Sequence, residues 1–417
     1  MTTKISFSIA DTRRNLAITA CVALGWLGAT PVRAETNFIP YATVGVESDS
    51  NVFARPENEP PFASSGNTEL GDTVTEYLVG AVADFGWGLD DLKLDAEGRR
   101  FDYSRFTPLD HNEYKFGGDF VWHLGSVVDG SLVYEQSHIM ESLADTLSDQ
   151  LELQTDRSAT GTARILITPE WRFDVVPSWH ELDSPLPLYP QFGLQENAGA
   201  VALDYLGISK LVAGLKVKYT DGSFHDILGA TRYHQTTSEL TADYAVTGLS
   251  AFTGELGYTT RTSSLVNPAD AAIIGTEGGV IGRTDAVTGS LGLRRQLSVK
   301  TRVTLTLFRE VDSYVAGANS EIGTGADLAL TWEPDVKFSV ALHYRQETQS
   351  IQGGLVIANG FVDRTDHPRI GQLEVKYHIT KWLTLRPYYT RDERTSNLEE
   401  ANYTSNIVGI DLTARFE

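Results

Sequence analysis

The stretch from Lys381 to Phe416 restricts the fold more than any other part of the chain. Val408, Ile410, Leu412, Ala414 and Phe416 fall on one face of an extended segment, and Gly409, Asp411, Thr413 and Arg415 fall on the other. This is the period of two residues that a β-strand turns into two chemically different surfaces. The preceding segment alternates in the same way, with Leu383, Leu385, Pro387 and Tyr389 opposite Thr384, Arg386, Tyr388 and Thr390. Together they read as a hairpin whose apolar face needs a cover. A sandwich would supply that cover from a second sheet or a layer of helices, so what the rest of the chain encodes decides the class.

The rest of the chain repeats the hairpin. From Thr36 onward no convincing helical period appears, and alternating segments recur. Phe116, Gly118, Phe120, Trp122 and Leu124 alternate with polar neighbours, as do Trp171, Phe173, Val175, Pro177 and Trp179, and Leu211, Ala213, Leu215, Val217 and Tyr219. Counting such segments from Phe38 to Phe416 gives about 18, an even number, as a single-chain bacterial barrel requires. The connections between them alternate in length. Phe85–Gly88, Leu124–Gly125, Thr168–Pro169, Leu206–Gly207, Thr247–Gly248, Gln296–Leu297, Glu333–Asp335 and Thr380–Lys381 are short. Between them lie longer polar stretches such as Ser48–Asp72, Ser142–Leu151, Glu181–Gln191, Ser264–Gly279 and Ser350–Asp363. A sandwich or propeller has no reason to sort its loops by parity, whereas a barrel has turns on one side of a membrane and loops on the other. Trp332, Trp382, Tyr388 and Tyr389 sit at strand ends, where aromatic girdles meet the lipid interfaces. The expected fold is therefore all-β: a transmembrane antiparallel up-and-down β-barrel of about 18 strands.

Composition and the N-terminus fit that class. Residues 1–34 read as a signal peptide that is removed: Lys4, Arg13 and Arg14 precede an apolar run from Leu16 to Ala29, and Val32-Arg33-Ala34 has the form of a cleavage site. A lipid-attachment box at Ile18–Cys21 is a competing reading, but it would strand most of the apolar run after the cysteine. Residues 35–417 are then the barrel. Cys21 is the one cysteine, so the mature chain has none and needs no disulfides in an oxidising compartment. Against 34 Lys and Arg the chain carries 55 Asp and Glu. Removing residues 1–34 leaves 30 against 54, an acidic balance that argues against nucleic acid as a partner. No stretch after the signal is apolar enough for a membrane-spanning helix.

Two stretches carry a family resemblance. Tyr41-Ala-Thr-Val-Gly-Val-Glu-Ser-Asp-Ser-Asn-Val-Phe53 opens the barrel, and Tyr388, Tyr389, Arg391, Ser396, Asn397, Tyr403 and Asn406 mark the closing hairpin. Together they resemble the beta-barrel porin 2 group, which includes the EpsL-like outer-membrane proteins of exopolysaccharide operons. The resemblance implies an outer-membrane channel connected with polysaccharide export, partnered by periplasmic export proteins and carrying a polysaccharide as its transported ligand. Outer-membrane lipid and the barrel-assembly machinery are the other expected partners. Phe416 is placed as an outward aromatic of the kind that machinery reads, although Glu417 follows it.

The alternation assigns candidate lumen-lining residues: Lys115, Asp119, Arg172, Asp174, Lys216, Lys218, Arg302, Arg345, Glu374, Lys376, Arg386, Tyr388, Asp411 and Arg415. The simplest role for these charges is to pair across neighbouring strands and solvate the wall. The functional alternative is a polar track for a hydrated sugar chain, with Tyr388 offering a stacking face. With Glu135, Asp243, Glu255 and Glu347 on the same face the two signs are nearly balanced, which argues against strong selectivity for either ion. The stretch Ser48–Asp72 reads as a solvated loop; its prolines, Pro56, Pro60 and Pro61, also suit a constriction folded into the lumen. Its acidic residues lack EF-hand order, so no metal or other cofactor is expected. An enzyme is not expected either. The nine His residues form no H-E-x-x-H motif, and Ser137 and His138 are adjacent, which puts them on opposite faces of a strand. The alternatives to polysaccharide export are a general or substrate-selective porin and, further off, an adhesin or enzyme scaffold.

Overall fold

A computed structural model of the chain describes residues 35–57, 69–146, 150–184, 193–225, 231–265, 280–313, 320–352, 356–357, 360–361 and 364–416. The expected signal peptide lies outside the described residues, as do parts of several of the longer loops.

The strands run β1 (Glu35–Asp49), β2 (Asp72–Trp87), β3 (Asp90–Tyr103), β4 (His111–Leu124), β5 (Val128–Met140) and β6 (Leu153–Thr168). They continue as β7 (Trp171–Asp183), β8 (Gly193–Ile208), β9 (Leu211–His225), β10 (Thr231–Thr247), β11 (Ser250–Leu265) and β12 (Val280–Ser298). Next come β13 (Thr301–Asp312), β14 (Ser320–Asp335) and β15 (Phe338–Gln352), then β16 (Val356–Ile357) and β17 (Gly360–Phe361), a small ladder within a loop. The chain ends with β18 (Arg364–His378), β19 (Leu383–Ser396) and β20 (Tyr403–Arg415). Apart from β16 and β17 they form one antiparallel sheet of 18 strands in which sequence neighbours pair. β1 pairs with β20 from Tyr41↔Arg415 to Asp49↔Ile407, and this closes the ring. The expected up-and-down barrel and its strand number are both present.

The turns explain why the strands meet in this order. At one end the connections are tight. Gly88 after β2 and Gly125 after β4 have φ of 72° and 67°, values that L side chains rarely adopt. At the other end the connections are long, and short helical turns at Thr107–Leu109, Leu143–Thr146 and Glu399–Ala401 occupy three of them.

Parity fixes the two faces. On β9, Leu215, Val217 and Tyr219 are exposed on one face, while Lys216 and Lys218 occupy the other. Val79, Leu256, Leu291 and Val408 continue the exposed apolar surface around the ring, each more than half exposed. The apolar positions from Leu211 to Tyr219 span about 27 Å of strand, and a tilt near 40° makes that about 20 Å of apolar thickness. An apolar surface of this extent is not stable in water and finds its cover in lipid. No helix among the described residues is long and apolar enough to cross a membrane.

Rings of aromatics bound the belt. On the turn side Trp87 stacks with Phe120 (5.9 Å between centroids), Trp171 packs with Tyr205 (4.9 Å), Phe338 with Tyr377 (5.0 Å) and Trp382 with Phe416 (6.5 Å). On the loop side Tyr114 stacks on His138 and Tyr219 on His234. Beyond them the outward positions become ion pairs: Arg232 with Asp221, Arg283 with Asp285, Arg391 with Glu393, and Arg157 with Glu181 and Asp183. Tyr388 departs from its expected place in a girdle. It shares the inner face with Arg386 and donates to Glu47 of β1, because its even position on β19 has the parity of Arg386 rather than that of Tyr389.

Candidate functional site

The strand register carries one inner face around the ring, and every sequence-assigned position falls on the side opposite the exposed apolar residues. Lys115 and Asp119 lie on β4, Arg172 and Asp174 on β7, and Lys216 and Lys218 on β9. Arg302 lies on β13 and Arg345 on β15. Glu374 and Lys376 lie on β18, Arg386 and Tyr388 on β19, and Asp411 and Arg415 on β20.

Several of these side chains meet. Arg386 bridges its two neighbouring strands: Nε donates to Asp411 Oδ2 at 2.8 Å and Nη1 lies 3.3 Å from Glu374 Oε2, which Lys376 also pairs at 3.0 Å through its other oxygen. The same guanidinium sits 4.9 Å over the ring of Tyr388, whose hydroxyl donates to Glu47 Oε2 at 2.6 Å. On the far side Arg172 joins Asp174 (2.9 Å) to Asp204 (2.5 Å), and Lys216 joins Glu239 (2.9 Å) to Glu255 (3.5 Å). Arg345 pairs with Glu347 at 2.9 Å and lies 4.4 Å over Phe308. Lys115, Asp119 and Arg302 make no side-chain hydrogen bond or ion pair among the described residues. Each partly exposed pair contributes little stability alone. Their collective effect is to hold long side chains flat along the wall.

Two features escape a reading of alternation alone. The first is the ladder on β1 to β3: Tyr41 donates to Glu97 at 3.1 Å, and Arg99 joins Glu97 (2.7 Å) to Glu76 (3.5 Å). The signal was present, since Lys93, Asp95, Glu97 and Arg99 repeat at period two, but Arg100 and Asp102 place charges on the outer face as well and blur it. The second is a hydroxyl wall. Thr237, Thr259 and Thr288, on β10, β11 and β12, form a lateral chain at 3.0 and 3.1 Å, and Thr284 meets Ser320 at 2.7 Å.

The balance of signs inferred from the sequence also changes. Register adds Glu47, Glu76, Asp95, Glu97 and Asp129 to the inner face, and acids exceed bases there.

At the loop end the mouth is partly filled. Phe53 packs edge-on against Phe106 (4.7 Å, 77°), and with Leu109 and Leu143 they form a buried cluster supported by Val52, Tyr103, Met140 and Leu151. Asn51, also buried, donates to the carbonyls of Arg55 (2.7 Å) and Thr404 (3.2 Å). The described start of the Ser48–Asp72 loop is therefore packed, not solvated, because Val52 and Phe53 carry apolar surface that the neighbouring loops cover. Arg394 of β19 donates to the carbonyl of Ala144 at 2.7 Å. That carbonyl belongs to the turn between β5 and β6, which the ring separates from β19 by β4, β3, β2, β1 and β20, so the turn reaches inward. Opposite, Ser313 after β13 donates to Glu196 of β8 (2.9 Å) and accepts from Arg261 of β11 (2.9 Å), whose guanidinium lies 3.5 Å from the Tyr233 ring centre. Leu182, Leu194, Phe224 and Tyr233 form a second buried cluster nearby. Among the described residues no group of His, Cys, Asp and Glu is arranged to hold a metal ion.

No protein-family profile and no curated protein sequence matches the chain. Among solved structures it is similar to OpdK of Pseudomonas aeruginosa with vanillate, at 9% identity and a TM-score of 0.43, over 91% of this chain and 99% of that one. Acinetobacter baumannii OccAB3 is similar at 9% identity and a TM-score of 0.44, covering 92% and 99%. The FrpB iron transporter from Neisseria meningitidis is similar at 11% identity and a TM-score of 0.48; 85% of this chain is covered, and it spans 62% of FrpB.

Proposed function

We propose that this chain is a bacterial outer-membrane channel through which a hydrated, hydroxyl-rich solute passes, and that the solute is an exopolysaccharide on its way out of the cell. The observation that carries the channel reading is the closed ring of 18 strands with an apolar outer belt and a polar inner face. A ring of that size leaves an aqueous path unless its loops fill it. Polysaccharide export is supported by the resemblance at the two ends of the chain and by the inner wall. Tyr41 and Tyr388, both half-buried on the inner face, offer ring faces to a sugar without requiring charge. Catalysis has no part in the proposal. The tight turns would face a periplasmic export apparatus. Phe416, outward and stacked on Trp382, would present the terminal aromatic to the assembly machinery.

A substrate-selective porin with no polysaccharide role is the second reading. The inward-packed turn at Leu143–Thr146 favours it, since a narrowed mouth suits a small solute better than a polymer. Single-channel recording from the refolded mature chain, with and without neutral oligosaccharides, separates the two. Steps that long oligosaccharides interrupt support export. Steps indifferent to sugars leave the porin, and silence from correctly inserted protein overturns an open channel.

A further inference from the structure

We infer that the aqueous path selects cations over anions, so that its solutes are neutral or cationic and an anionic polymer is excluded; this rests on the channel reading above. The inference comes from what the register places on the inner wall of β1 to β6. There carboxylates outnumber lysines and arginines by about three to one. The inner-face bases of this arc are Lys93, Arg99, Lys115 and Arg164. Two of them are already committed, Arg99 between Glu76 and Glu97, and Arg164 to Asp129 at 2.7 Å. Asp95, Asp119 and Glu135 make no ion pair or side-chain hydrogen bond among the described residues, and Lys93, across from Asp119 in the register, and Lys115 are the two uncommitted cations of the arc.

The rest of the ring does not cancel this field. Across the barrel the inner positions of β10 to β13 carry Glu239, Asp243, Glu255, Glu310 and Asp312 against Arg261, Arg294 and Arg302, so acids exceed bases there too, and the Thr237–Thr259–Thr288 chain adds no net charge. Of the other inner-face cations, Arg172, Lys216, Arg345 and Arg386 hold carboxylates at pairing distance. What remains is a one-sided negative potential inside a low-dielectric shell, a geometry that concentrates counter-ions along the path. The Debye length is about 10 Å at 0.1 M salt and about 3 Å at 1 M. The potential therefore fills much of a pore of this class in dilute salt and shrinks to the wall in concentrated salt.

The test is the reversal potential of the refolded mature chain in a planar bilayer under a KCl gradient. Potassium should pass about five times more readily than chloride near 0.1 M, and the ratio should fall toward one near 1 M. Asp95→Asn, Asp119→Asn and Glu135→Gln combined should cut the low-salt ratio by about half while leaving the step size within the same range. Should the combined variant fail to insert, the salt dependence of the unaltered chain decides alone. Chloride preference at low salt, or a ratio that salt does not move, overturns the inference while leaving the channel intact. Absence of any steps overturns the channel reading and this inference with it.

Discussion

The inner wall has two different halves. From β18 through β1 to β3 it is built from long charged side chains and tyrosines, while on β10 to β12 a lateral chain of short hydroxyls runs between the charged positions. Both satisfy a water-filled lumen, but by different means. The charged half needs room along the wall. Tyr388 lies flat over Gly409 of β20, where a Cβ would collide with its ring, and Tyr41 lies over Gly80 of β2 in the same way. The threonine chain needs none, since each threonine reaches only its lateral neighbours. Long side chains laid across glycines are positioned by several partners at once, and losing one partner leaves the others strained or unpaired. A short hydroxyl that loses its neighbour leaves one hydrogen bond unmade and displaces no other side chain.

That contrast can be broken or sharpened by substitution. Arg386→Met should be the most damaging change. It leaves Asp411, whose side chain is 3% exposed, without its cation, at a loss of about 3 kcal/mol, read as a lower temperature for loss of the compact gel mobility of the folded barrel. Gly409→Ala should follow at about 2 kcal/mol, because the Tyr388 ring must lift away from Glu47; adding Tyr388→Ala should recover part of that loss, and a purely additive double variant would contradict the packing described. On the hydroxyl half, Thr259→Val should cost about 1 kcal/mol in the same assay and leave ion selectivity unchanged. A Thr259→Val loss as large as that of Arg386→Met would erase the distinction between the halves. The smallest effect is expected on the outer collar, where Arg157→Ala removes partly exposed pairs with Glu181 and Asp183 and should change stability by no more than about 0.5 kcal/mol.

Much of this was legible in the chain itself, for a definite reason. A membrane barrel has little core, so each strand states its two faces independently, and period two is read locally. The closing hairpin, the parity of the loops and the number of strands all follow from local signals, as does the face of Arg386 opposite Leu385. What local signals do not carry is lateral pairing. That Arg386 serves both Asp411 and Glu374 depends on the stagger of three strands, and that Glu97 meets Tyr41 depends on a register across β2. The sign of the wall was misjudged because strands rich in charge on both faces, β3 above all, hide their alternation. The mouth was opaque for another reason. Phe53, Phe106, Leu109 and Leu143 come from three separate connections with no periodicity, and only their meeting makes them a cluster.

The seam between β1 and β20 carries a consequence for how the protein comes into being. The hydroxyls of Thr43 and Thr413 lie 2.8 Å apart across it, although 370 residues separate them along the chain. At about 5 to 20 residues per second, synthesis of that interval takes on the order of twenty seconds to a minute. Throughout that wait β1 has a free hydrogen-bonding edge and nothing of its own to close against. The first strand of the ring is thus finished by the last, and its edge stays open until the ring shuts.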